Sequence, residues 1–275
     1  MHSKHPSWIR FWVVTLGIAA TSAPAVAAIN CSEQSRFLQY AYVNNTSNWQ
    51  EFDSTGRELV RESGKLTGPQ LSAALTCSGW RLQAEVTQLD GDRRYDGQTS
   101  SGVNVLSSSA LHRIDRQLQA SVNVTKDLQV GLRVSNHRTW RDIASAGGAS
   151  GYPERFEWTL LSVGSQWSKP VSFGQLTLGA WVGTQLDSSM TLNLPGRDQT
   201  TLLLGKIHQV ELQLGWEVPV TPSWSLHANV RYRKIEVSQG ADGIVTKNGF
   251  PVGVAHQPQT RLVDIPVTVS LSYRF

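Results

Sequence analysis

The chain has 275 residues, 17% of them charged, 10 tryptophans, and a formal net charge of +4. That length suits one large domain or two small ones, and without a basic run or an aromatic–basic reader motif it is not a nucleic-acid-binding protein. With two cysteines and no histidine cluster the chain shows no His/Cys metal-binding motif, and no nucleotide loop calls for a cofactor.

The N-terminus reads as an export signal. Lys4 and Arg10 precede an apolar run over 11–20, and the small residues TSAPAVAA follow over 21–28. The run is about half of the ~20 residues a spanning helix needs, so residues 1–28 are expected to be removed after Ala27 or Ala28. The mature part, 29–275, loses Lys4 and Arg10 and no acid, and its net charge falls to +2. Asn30 before Cys31 is not the small residue of a lipoprotein signal. An exported chain with only Cys31 and Cys77 is expected to join them in a disulfide.

Beyond the signal, period two dominates. In segment 80–87, Trp80, Leu82, Ala84 and Val86 alternate with Arg81, Gln83, Glu85 and Thr87. The same alternation runs through 128–135, 176–187, 209–218, 224–233 and 265–275. Several of these segments match the ~9–11 residues a tilted strand needs to cross a bilayer, and aromatics such as Trp80, Trp140, Trp158, Trp167, Trp216, Trp224 and Tyr273 stand near their ends. Strands in lipid must pair every backbone group, so the sheet must close. The fold expected is all-β, a transmembrane up-and-down antiparallel β-barrel of ten strands in the cell outer membrane of a Gram-negative bacterium. The strands are expected near 35–52, 57–76, 80–90, 111–124, 128–141, 155–167, 171–187, 201–218, 224–237 and 261–275. Their first hairpin turns at DSTG (53–56), with SGKLTG (63–68) as the alternative. Short turns at 77–79, 125–127, 168–170 and 219–223 alternate with long polar stretches at 90–110, 142–154, 188–200 and 238–259, as periplasmic and extracellular connections do.

The final segment SLSYRF resembles the C-terminal signature by which outer-membrane barrels engage the insertion machinery, with Tyr273 and Phe275 its aromatic residues. Pro266 gives up a ladder bond and is expected to mark a bulge. Charges expected to face inward are Glu85, Arg113, Asp115, Arg133, Asp187, Glu211, Glu217, Arg231, Arg233, Asp264 and Arg274, a mixed set that can pair within the lumen. Asp90 and Asp92, two apart at the outer end of the third strand, share one face of an extended chain. Such a pair can hold a water with one carboxyl raised toward base strength, or bind a cation; the bland reading is a solvated turn.

Ten strands, periplasmic termini and that Asp-x-Asp resemble the omptin family of outer-membrane endopeptidases, as do EFDSTGREL and VPVTPSWSLHANVRYRKI in place and character. The resemblance implies water-activating pairs on opposite walls, with Asp90 and Asp92 as one. The family's Asp-x-His has no full counterpart: Asp198 is followed two residues later by Thr200, and the nearest histidine is His208. Arg93, Arg94, Arg138 and Arg141 near the outer rim are candidates for lipopolysaccharide phosphates. No Ser/His/Asp spacing suggests a lipase. The function expected is a surface binding or structural role, with an active endopeptidase using Asp90, Asp92, Asp198 and His208, or a narrow solute channel, as alternatives. Expected partners are membrane lipid and lipopolysaccharide, the barrel-assembly machinery, and a surface peptide or host ligand.

Overall fold

The computed structural model describes residues 34–77, 79–99 and 102–275. The expected export segment 1–28 and Cys31 lie outside these residues. The strands, in chain order, are β1 (Gln34–Phe52), β2 (Glu58–Cys77), β3 (Trp80–Gln98), β4 (Asn104–Asn123), β5 (Leu128–Ile143), β6 (Pro153–Val171), β7 (Gly174–Leu192), β8 (Thr200–Leu203), β9 (Ile207–Pro219), β10 (Trp224–Val237), β11 (Gly243–Lys247), β12 (Phe250–Ala255) and β13 (Gln259–Arg274).

Ten of these form the wall, antiparallel throughout, in the cyclic order β1-β2-β3-β4-β5-β6-β7-β9-β10-β13. The ring shuts where β1 pairs with β13 from Phe37↔Arg274 to Phe52↔Gln259. β8 adds a short pairing to β7, and β11 with β12 makes a separate hairpin. The first hairpin turns at Asp53–Gly56, where Gly56 donates to the Asp53 carbonyl at 3.0 Å and the Asp53 side chain accepts from the Thr55 and Arg57 amides. The alternative turn at 63–68 is continuous β2.

The two faces explain the strands. Along the lower half of the wall the outward residues are apolar and bare: Tyr40, Leu71, Val86, Leu118, Leu132, Val163, Val182, Leu212, Val230 and Val269 all stand exposed. A belt of that size tolerates no water contact, and hydrocarbon is its solvent. Higher up the outward face turns polar, from Tyr42 to Asn44 on β1, Val86 to Gln88 and Asp90 on β3, and Val134 to Asn136 on β5. Above that line the strands leave the membrane. With 20 residues in β2 against the ~9–11 that cross a bilayer, about half of each long strand projects outside.

Aromatics mark the short-turn end of the belt. The Trp224 and Tyr273 rings lie 4.8 Å apart, Phe173 and Trp216 5.5 Å apart, and Tyr273 stacks on Phe275 at 6.0 Å. Trp158 is a correction to the expected girdle. It is buried inside the projecting half, in a cluster with Trp49, Phe156, Leu160, Met190, Leu202, Ile207, Ile235 and Leu262. This is a hydrophobic core set within the barrel above the membrane. Each such side chain contributes ~1.5–3 kcal/mol on burial.

Other expectations are also revised. The stretch 90–110 is not a loop: β3 runs on to Gln98 and β4 starts at Asn104. The strand expected at 201–218 breaks into β8 and β9. Pro266 makes no bulge; it stays in register opposite Asn45, and the β10–β13 ladder is interrupted beside it between Val230↔Val267 and Arg233↔Asp264. A bulge lies on β7 instead, where Thr159↔Asp187 is followed by Leu160↔Gln185. The extra residue, Leu186, reverses the side-chain parity, so Asp187 faces outward and not into the lumen.

Candidate functional site in the lumen

Of the eleven charges expected inside, Asp187 alone turns outward; Glu217 and Arg274 border the lumen at its short-turn end, and the register sorts the other eight into tiers. Nearest the short turns, Arg231 spans to Glu85 at 3.1 Å and Arg133 to Glu211 at 2.7 Å, with the Arg133 guanidinium 4.0 Å from the Trp181 ring centroid. Above them Arg113 binds Asp115 at 2.9 Å and Asp264 at 2.6 Å. Asp264 also accepts from Ser47 at 2.6 Å and Asn45 at 3.1 Å, and Arg233 approaches both carboxylates. Higher still, Arg93 donates to Ser47 at 2.7 Å and meets Glu62 at 3.4 Å. Arg141 sits among Glu154, Glu51 and Glu62 at 2.6, 3.2 and 3.8 Å. The hydrophobic core completes the stack. Charges out of water need partners on every side, and this alternation of sign supplies them.

Within the middle tier one geometry stands apart. Asp115 lies directly opposite His137 in the β4–β5 ladder, and Ser135 precedes His137 by two on the same inward face. The Asp115 carboxylate meets His137 Nδ1 at 2.8 Å, while His137 Nε2 lies 3.1 Å from Ser135 Oγ. A small cavity of about 30 Å³ borders Ser135, His137, Asp115, Arg233, Thr87 and Thr268. Below it a cavity of about 180 Å³ lies toward the short turns, with a polar lining of amides, among them Gln39, Gln83, Gln119, Gln166 and Gln213, and of charged groups such as Arg81, Arg133, Glu217 and Arg274. Gln70, Glu85, Gln117, Arg231 and Thr268 border both.

The residues expected to form a peptidase site are not brought together. Asp90 and Asp92 do share a face, but it is the outer one. Asp90 meets His112 Nδ1 at 2.6 Å there, beside the Trp140 ring. His208 faces outward on β9, and β3 and β9 are five strands apart in either direction round the ten. The whole barrel stands between Asp90 and His208. Asp198 is a clip, accepting from Thr246 Oγ1 at 2.7 Å and from the Asn248 and Gly249 amides at 3.1 and 2.9 Å. Those bonds, the Gly249 amide foremost, hold its carboxyl below the ordinary value.

The four rim arginines divide as well. Arg93 and Arg141 are buried in the lumen. Arg94 faces outward and exposed, and Arg138 is held outside by Glu157 at 2.6 Å. Neighbours in a strand face opposite ways, so 93 and 94 could not act as one patch. Tyr273 and Phe275 are outward and exposed, and Cys77 is buried at the end of β2. Ser135, His137 and Asp115 were missed because only the cross-strand register joins them; the local signal was an inward Ser-x-His on β5.

No protein-family model matches the chain, and no curated protein does. Among solved structures it resembles the outer membrane protease OmpT from Escherichia coli, at a TM-score of 0.57 and 11% identity, over 90% of this chain and 98% of that one. A weaker likeness, TM-score 0.44 and 11% identity, is to the translocator domain of the autotransporter NalP from Neisseria meningitidis, over 86% of this chain and 88% of that one. The likeness to the protease, at that identity, is one of fold: a closed outer-membrane β-barrel.

Proposed function

We propose that the chain is a surface protein of the outer membrane, a barrel closed to solutes whose projecting half serves as a binding scaffold. The observation that carries this reading is the filled lumen. Arg113–Asp264, Arg93–Glu62 and Arg141–Glu154 stack beneath the Trp49–Phe156–Trp158 core, and a continuous water path would have to pass through all of them. The expected Asp-based peptidase draws no support from this placement: Asp90 and Asp92 face outward on the side of the wall opposite to His208, and Asp198 is engaged by the β11–β12 hairpin.

The projecting half supports the binding role. Asp198 holds the β11–β12 hairpin, which presents Ile244, Phe250, Val252 and Val254 to solvent on the extracellular side. On this reading the partners are a peptide or host ligand at that end and, along the wall, lipid and lipopolysaccharide, with Arg94 and Arg138 the arginines left to meet phosphate. The barrel-assembly machinery would insert the chain. Planar-bilayer recording of the refolded protein tests the closed barrel, and silence across the voltage range is expected; stepwise conductance would overturn it. Cells displaying the chain are expected to lose capture of immobilised peptides when 243–255 is replaced by a short Gly-Ser turn. Equal capture by the two would remove the scaffold role.

A further inference from the structure

We propose that Ser135, His137 and Asp115 form a luminal acyl-transfer site that hydrolyses short esters of hydroxylated alcohols entering from the short-turn side.

Three observations carry it. The first is the hydrogen-bond order: carboxylate to Nδ1 at 2.8 Å, and Nε2 to hydroxyl at 3.1 Å. The Asp115 contact fixes the tautomer with the proton on Nδ1, which leaves Nε2 free to accept from Ser135. The alternative assignment would set a bare Nδ1 lone pair against a carboxylate. Roles and geometry, not chain order, define such a constellation.

The second is a donor in waiting. Arg233 borders the 30 Å³ cavity next to Ser135, and its Nε is buried without a hydrogen-bond partner. A buried donor left unmade is costly, and a developing oxyanion at this cavity would satisfy it.

The third is access. The 30 Å³ cavity holds about one water and adjoins the 180 Å³ cavity below across five shared residues, the Arg231–Glu85 pair among them. The smaller space admits only the reacting carbonyl. The larger, lined by amides and charged side chains more than by apolar groups, matches the hydroxyls of the alcohol portion. The Arg93–Glu62 and Arg141–Glu154 tier and the core shut the other end, which leaves the short-turn side, past the Arg231–Glu85 pair, as the direction of entry.

The chemistry balances with water as the second reactant. Ser135 Oγ bonds to the ester carbon as its proton passes to His137 Nε2. The ester C–O bond then breaks, and Nε2 returns that proton to the departing alkoxide. Water adds to the acyl carbon, giving a proton to Nε2. Oγ leaves the carbon and takes that proton, releasing a carboxylic acid.

The test is intact-mass spectrometry of the refolded barrel after methanesulfonyl fluoride, a serine-directed reagent with only a methyl group beside its reacting sulfur, with hydrolysis of p-nitrophenyl acetate in parallel. One adduct at Ser135 is expected, with fluoride lost. It should vanish in Ser135→Ala and persist in Ser162→Ala, a buried serine bordering neither cavity. His137→Gln should slow acetate release by ~10²-fold or more, as loss of a general base does. Heat-modifiable migration confirms that each variant is folded. No adduct on folded wild type, or equal hydrolysis by folded wild type and Ser135→Ala, overturns the proposal. Bilayer silence is unaffected either way, so this site and the closed-barrel reading fail separately.

Discussion

Arg113 on β4 reaches Asp264 on β13 at 2.6 Å with both side chains shut away from solvent, 1% and 0% exposed. The two strands lie four places apart round the ring, so the pair braces the cylinder across its interior rather than along a seam. Deleting one partner strands the other charge without water. Asp264→Ala leaves Arg113 and Arg233 facing Asp115 alone, and a loss of ~3–5 kcal/mol is expected. The urea midpoint of heat-modifiable migration in detergent would show it. The paired change Arg113→Met with Asp264→Leu should cost much less, since it removes both desolvation penalties; an equal loss would mean that the charges act separately.

The sequence displayed the strands where lipid and lumen impose opposite chemistry. Leu212, Leu214 and Trp216 against Glu211, Gln213 and Gly215 announce a wall strand. The same logic failed at 90–98. Once β3 leaves the membrane its outer face becomes Asp90, Asp92 and Arg94 while Arg93 turns inward, and the alternation that marked the strand disappears. The β7 bulge was hidden for a related reason, because one extra apolar residue, Leu186, fits either face. Asn248–Gly249, both at positive φ in the β11–β12 turn, was the readable hairpin signal in the long final connection. The luminal site was out of reach: Asp115 and His137 meet only through the β4–β5 register.

Two extracellular turns are expected to loosen in acid. Asp53 and Asp198 are each held below the ordinary carboxylate value, Asp53 to about 2, by Thr55 first and then by the Arg57 and Thr55 amides. A depressed folded pKa contributes stability above the unfolded value, ~3.9 for aspartate, and that contribution is lost as pH falls through the folded value. Both turns should therefore be intact at neutral pH and change only below ~3.9. Amide shifts of Thr55 and Arg57 should titrate with a midpoint near 2. Those of Asn248 and Gly249 should titrate below the ordinary aspartate value and vanish as a transition in Asp198→Asn. A midpoint above that value for Gly249 would show that its bond to Asp198 is not made.

The cysteines carry a simpler expectation. Gln34 stands opposite Cys77 in the β1–β2 register, and Cys31 is three residues before Gln34 in the chain, a separation of at most ~10–11 Å that permits the expected bridge. Alkylation of the denatured, unreduced protein should add no mass, and prior reduction should expose two thiols. Two thiols alkylated without reductant would rule the bridge out.

The core above the membrane should melt without the barrel. Phe156 is buried between Trp49 and Trp158, with ring centroids 5.0 and 6.5 Å away, and only the projecting half contains this cluster. Replacing a buried phenylalanine by alanine costs ~3–5 kcal/mol. The wall lower down is held by closed ladders, lipid and the Arg231–Glu85 and Arg133–Glu211 tiers, none of which touches Phe156. Local openings draw on the contacts of their own region, so Phe156→Ala should expose 144–152 and 193–199 to protease while the folded band in unheated gels persists. Simultaneous loss of that band would mean that the two halves unfold as one cooperative unit, and the membrane belt would then owe part of its stability to packing outside the membrane.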